Sequence, residues 1–246
     1  KAVRHQLKLG ADWIKLMVTG GVATAGQSIQ ESQLLPDEIR AATEVAHQKG
    51  KRVCVHAWGT VGIKTAIRAG VDCIEHGLLD DQAIQMMLDH NVFYVPTVFC
   101  TQDEEFMAEF GVFPFQIEKF REAAAIHRES VQKASAAGVR IATGADTSPS
   151  AEYALRELEQ LVKAGMGEME TLLAATATSA DLCGVADQLG TVEAGKLADL
   201  IVLSASPLEH ISNVRKLVMV LKDGKLVDCR QPEGLADYWK LFMLLD

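Results

Sequence analysis

Short runs that are apolar from end to end alternate with helices that are apolar on one face only, and this alternation restricts the chain more than any other feature. The runs are 12–18 (DWIKLMV), 52–57 (RVCVHA), 71–75 (VDCIE), 92–98 (VFYVPTV) and 139–143 (VRIAT). Helical stretches are expected after them, over 36–49, about 60–69, 80–89, about 116–137 and 151–164. Pro36 suits the first turn of the first, Asp37 and Glu38 its positive end, and Gly50 its C-cap. In 151–164, Leu155, Leu158 and Val162 recur at helical spacing. A strand that is apolar on both faces must be covered on both, which implies parallel strands in an α/β fold. Five such strand–helix units fall within the first 165 residues.

Small and apolar residues over 168–185 suggest one or two further helices. The pattern then changes. Residues 189–203 and 216–227 are short alternating strands with turns at Ala194-Gly195 and Asp223-Gly224. An Asp-Gly pair between alternating apolar residues signals a hairpin. A small β module is therefore appended to the α/β body.

Composition closes off other classes. A 246-residue chain with 48% hydrophobic residues can bury a core, which excludes disorder. A net charge of −9 argues against nucleic acid or an anionic membrane as partner. No apolar run reaches the roughly 18 residues of a membrane-spanning helix. The five cysteines, odd in number, form no CxxC pair; this excludes a Cys-rich zinc site, argues against a disulfide framework and favours a reducing, cytoplasmic compartment. Cys54 and Cys73 sit in apolar runs and are read as small core residues.

In an α/β barrel, reactive groups gather at the C-terminal ends of the strands. The first strand carries Lys15, the second ends at His56, the third at His76, and the last leads to Asp146. The fourth offers only Tyr94 and Thr97. Each of the four has an ordinary alternative: Lys15 as an edge residue snorkelling to water, the histidines as satisfied core residues, Asp146 as a helix cap before Thr147-Ser148-Pro149. If Lys15 is buried, its ammonium must be paired or modified. Two neutral imidazoles with carboxylate oxygens suit Zn²⁺ or a similar divalent ion.

The segments GADWIKLMVTGG (10–21), RVCVHAWGTVGIKTAIRAG (52–70), GVDCIEHG (70–77), RIATGADTS (140–148) and LGTVEAGKLADLIVL (189–203) closely resemble the amidohydrolase superfamily. Within it, the likeness is to the imidazolonepropionase-like, Xaa-Pro dipeptidase or prolidase branch. The resemblance implies a (β/α)₈ TIM barrel of the metal-dependent hydrolase type, with strands four to eight in this chain, plus part of a small β-sandwich module. The implied division is barrel over 1–186, β module over 187–230, and a helix or tail over 231–246. It also implies a binuclear metal centre, zinc or another divalent ion. Lys15, carboxylated on its amine, would bridge the metals. His56 and His76 would hold the more exposed metal. Asp146 would bind the more buried one and act as the catalytic proton shuttle.

The chain departs from that pattern in lacking a His-x-His pair among its seven histidines. It is expected to be the C-terminal part of a polypeptide of about 400 residues, by barrel size plus an appended module. Alone, it is expected to hold one metal at most, weakly. Trp58 stands where many relatives carry a second histidine, and is read either as an aromatic wall of the pocket or as packing under a loop. The implied reaction is hydrolysis of an amide or peptide bond in a dipeptide or N-acyl amino acid. The alternative is a catalytically incomplete or non-catalytic chain. Lys15 counts against a deaminase. Arg68, Arg128, Arg156 and His127 are candidates for a substrate carboxylate, though each reads more readily as a solvated helix residue. The loop 99–116, with Phe106 and Phe110, is either a lid or a packed surface loop. The expected partners are a small-molecule or dipeptide substrate and further copies of the chain, without nucleic acid or membrane. The Thr19-Gly20-Gly21 turn either offers backbone donors to a substrate or is a plain tight turn.

Overall fold

The computed structural model describes residues 1–22, 24–103, 113–146 and 151–228. Four parallel strands, β1 (Trp13–Met17), β2 (Arg52–Ala57), β3 (Cys73–His76) and β4 (Phe93–Val95), lie side by side in chain order. In register, Lys15 sits beside Cys54, Cys54 beside Cys73, His56 beside Glu75, and Glu75 beside Val95. Helices α1 (Ala2–Lys8), α2 (Pro36–His47), α3 (Thr60–Arg68) and α4 (Asp81–Asp89) alternate with them, so the expected strand–helix repeat is present. A short α5 (Phe99–Gln102) follows β4, and α6 (Pro114–Ala137) and α7 (Ala151–Lys163) are the long helices beyond it.

Local chemistry sets the helix ends. The Asp80 carboxylate accepts the Ala83 N–H at 2.7 Å and starts α4. Glu38 reaches back to the Leu35 N–H at 2.8 Å at the start of α2. Gly138, with φ +84°, closes α6 in the left-handed conformation that glycine tolerates. The helices then bury their apolar faces on one side of the sheet. Ile39, Ile63, Ile67 and Ile74 are fully buried there with Leu161 of α7 and Val131 of α6. Each contributes about 1.5–3 kcal/mol relative to an exposed side chain. The opposite face of the sheet carries Cys54, Cys73, Phe93 and Val95 in a second, smaller cluster.

Two expected strands are shorter than their apolar runs. β4 stops at Val95, and 139–143 is reduced to a single parallel bridge between Tyr94 and Ile141. The cause is Pro96. Tyr94 N–H donates to Arg140 and Ala142 N–H donates to Tyr94, both at 2.9 Å. The next rung would run from the nitrogen of residue 96, and proline has no N–H. Among the described residues the sheet is open along β1.

After α7, helix α8 (Glu168–Leu173) runs through a π-helical turn (Ala174–Thr178) into α9 (Ser179–Cys183). Arg52 anchors the end of α9 by donating to the Asp181 and Leu182 carbonyls at 2.7 and 2.5 Å. The three-stranded antiparallel sheet β5 (Leu200–Leu203), β6 (Leu217–Lys222) and β7 (Lys225–Leu226) then forms, with Asp223-Gly224 turning the β6–β7 hairpin as expected. No helix among the described residues is long and apolar enough to cross a membrane. The expected tail 231–246 lies outside the described residues, as do Thr147-Ser148-Pro149, Phe106 and Phe110.

Candidate metal centre

His56 reaches the site by strand alternation, on the sheet face away from the helices. His76 does not. In a regular strand it would point opposite to its neighbour Glu75, toward the helices. Its backbone is left-handed (φ +68°), which breaks the alternation. The imidazole lies edge-on to that of His56, with ring centroids 4.6 Å apart. Asp146 is left-handed too (φ +46°), and its Oδ2 stands 3.6 Å from His76 Nε2. These three residues, with Thr19, Trp58 and Phe120, line one pocket of about 490 Å³.

Both imidazoles are held neutral. Burial pushes the pKa of His56 down, opposed by the Gly20 carbonyl near its Nε2 at 3.4 Å. Burial pushes His76 much further down, helped by the neighbouring His56, Lys15 and His127. Neutral imidazole is the metal-binding form. His76 Nδ1 meets the Thr97 hydroxyl at 2.7 Å, and His76 Nε2 is buried with no hydrogen-bond partner among the described residues. A desolvated ring nitrogen without a hydrogen-bond partner, facing a carboxylate, is a donor set that suits a divalent metal. By themselves, no three His, Cys, Asp or Glu side chains among the described residues converge as a metal-holding group.

Lys15 departs from one expectation. Its side chain is 39% exposed on the edge strand and ion-paired to Glu75. Its charge is therefore already answered, and the buried-ammonium argument for modification does not hold. Glu75 was missed in the sequence, although a carboxylate inside the run VDCIE is as unusual as a lysine inside DWIKLMV.

The pocket walls settle several alternatives. Trp58 is buried and stacks on His76 (4.9 Å, 6° between planes), so it is both packed and a wall. The Gly20 N–H donates to the Glu31 carbonyl at 2.9 Å, so the Thr19-Gly20-Gly21 turn does not offer this donor to a ligand. A Cβ on Gly20 would lie 2.3 Å from the Ser28 carbonyl oxygen, so the turn needs glycine there. The Thr19 hydroxyl accepts the Trp58 N–H at 2.9 Å and ties this turn to the end of β2.

His127 is not a solvated helix residue. It is fully buried, bonded to Thr101 at 3.0 Å, and its pKa is pushed down to about 4 by that burial. Arg68 and Arg128 are exposed, and Arg128 donates to Gln102. Arg156 is largely buried against Glu152 and lines a different, polar cavity. None of these three arginines lines the histidine pocket. The expected lid splits into α5 and the start of α6, with 104–112 outside the described residues.

The sequence pattern of the amidohydrolase family matches residues 1–227. The ochratoxinase of Aspergillus niger is 32% identical over 236 residues, covering 92% of this chain and 48% of that protein. A crystal structure of a Xaa-Pro dipeptidase with bound methionine superposes with a TM-score of 0.84 at 37% identity, over 92% of this chain and 57% of the other. A putative prolidase from Bifidobacterium longum gives 0.83 at 34% identity, over 98% and 62%. This chain spans about half the length of the curated relatives it matches. Matched along nearly its whole length by the family pattern, and folded like these hydrolases, the chain belongs to the amidohydrolase family.

Proposed function

We propose that this chain carries the metal-binding half of a hydrolase that cleaves an amide or peptide bond in a dipeptide or N-acyl amino acid. The observation that carries the reading is the orphaned Nε2 of His76, buried beside His56 and 3.6 Å from the Asp146 carboxylate, all three lining one pocket. The names of the similar proteins, a Xaa-Pro dipeptidase, a prolidase and an ochratoxinase, support an amide or peptide substrate.

In this reading His56 and His76 would hold one divalent metal, zinc above all. Lys15, carboxylated and released from its pairing with Glu75, would with Asp146 serve a second in the complete centre. A metal bound there supplies an ionised water near neutral pH and polarises the scissile carbonyl. Asp146, 54% exposed at the pocket mouth, accepts a proton from the attacking water and passes it to the leaving amine. Trp58 excludes water from the face of His76 and keeps that ring in place. Strands β1–β4 and the segment bridged at Ile141 would be strands four to eight of a (β/α)₈ barrel over 1–186, 187–230 belongs to a β-sandwich module, and the assembled protein contains several copies.

A second reading, that the chain is catalytically incomplete by itself, is favoured by the absence of a three-ligand cluster among the described residues. Zinc titration followed by elemental analysis, with a screen of dipeptides and N-acyl amino acids, separates the two. Amine release only with divalent metal supports the hydrolase. Stable binding of one zinc without turnover supports the incomplete chain. Failure of zinc to bind in any amount, with His56→Ala and His76→Ala indistinguishable from the parent, removes the metal centre.

A further inference from the structure

Thr97 lies two residues beyond the end of β4, the strand that brings no ligand of its own. It is buried and left-handed (φ +51°). A β-branched residue in this conformation is strained, by about 1–3 kcal/mol, and persists only where its surroundings impose it. Contacts on both sides hold it there. The Thr97 hydroxyl donates to the Pro96 carbonyl at 2.6 Å. Its single proton being used there, the oxygen faces His76 Nδ1 at 2.7 Å as an acceptor. On the other side, the buried Glu157 carboxyl group of α7 accepts the Val98 and Phe99 N–H groups at 3.0 and 2.8 Å. It grips the backbone just after Thr97, across some sixty residues of sequence.

We infer that Thr97 is a positioning residue that keeps the His76 proton on Nδ1 and turns the bare Nε2 toward Asp146, and that Glu157 holds Thr97 in place through the backbone. The inference rests on the metal-centre reading for its purpose, not for its test. Ring nitrogens of metal-ligating histidines are fixed in this way, and loss of the partner lowers metal affinity roughly 10- to 100-fold.

The test is the tautomer of His76 in the metal-free chain, read from long-range ¹H–¹⁵N correlations after ¹⁵N-histidine labelling. The expected result is a proton on Nδ1 in the parent and in Thr97→Ser, and a mixed or Nε2-protonated ring in Thr97→Val. Zinc affinity, measured in parallel, should fall with Thr97→Val and be restored with Thr97→Ser, and Glu157→Gln should lie between. A parent spectrum with the proton on Nε2 overturns the inference, as does Thr97→Val with the parent's tautomer. If Thr97→Val fails to fold, the parent spectrum still decides. A chain that binds no zinc but shows the Nδ1 proton sinks the metal-centre reading and leaves this one standing.

Discussion

At the scale of single residues, the site depends on groups that carry charge only at a cost. Glu157 is fully buried, and burial raises its carboxyl to about 8 despite the N–H groups of Phe99 and Val98 that favour the ionised form. Its ordinary value is 4.5, so between that pH and about 8 the folded chain binds a proton that the unfolded chain has released. The resulting stability is complete below 4.5 and is lost as pH rises through about 8. The buried histidines, held below their ordinary 6.5, act in the opposite sense at lower pH. Above 6.5, chemical denaturation should therefore show stability falling toward alkaline pH, and Glu157→Gln should flatten that slope. A parent protein with no slope would show that the carboxyl titrates normally. Gly20 is a second sensitive point. Its added Cβ would lie 2.3 Å from a backbone oxygen, which cannot swing away. Gly20→Ala should cost about 1–3 kcal/mol in a thermal melt, the range of overpacked sites, and should disturb His56, whose ring faces the Gly20 carbonyl.

At the scale of elements, the strand ends matter more than the strands. Three of the residues at or beyond strand ends, His76, Thr97 and Asp146, are non-glycine residues with positive φ. Regular β geometry would have pointed their side chains elsewhere. Pro96 truncates β4 and frees the backbone for the turn that Thr97 makes. Helix starts show the more ordinary economy of caps. Asp80→Ala removes the acceptor for Ala83 N–H at the start of α4, and a loss of about 1 kcal/mol is expected in urea unfolding. The same substitution also removes the carboxylate that Lys64 contacts at 2.8 Å. That pair is partly exposed and contributes little, so Lys64→Ala should leave stability nearly unchanged and identify the cap as the main effect.

At the scale of the whole molecule, a bound divalent ion should couple to folding, since no site of this kind exists in the unfolded chain. Zinc at 100 times its dissociation constant should stabilise the chain by about 2.7 kcal/mol, seen as a rise in melting temperature. His56→Ala and His76→Ala should each abolish the rise, and a chelator should reverse it. A rise that survives both substitutions would place the ion elsewhere. Among the described residues, the sheet β5–β6–β7 leaves Ile201, Val218 and Leu226 exposed, an apolar surface of the kind that marks association sites. Concentration-dependent association in sedimentation is expected, and Val218→Lys should weaken it.

By itself, the sequence determined the alternation of strand and helix, the parallel sheet, the hairpin at Asp223-Gly224 and the residues delivered to strand ends. Those are properties of local period and turn chemistry, which neighbouring residues write into the chain. Only the tertiary structure decided that Lys15 pairs with Glu75, that His127 lies inside, and that Thr97 and Glu157 stand behind His76. Each depends on positions distant in the chain, and the directions of His76 and Thr97 follow from left-handed backbone rather than from strand alternation. A period of two or of 3.6 residues carries no record of such contacts.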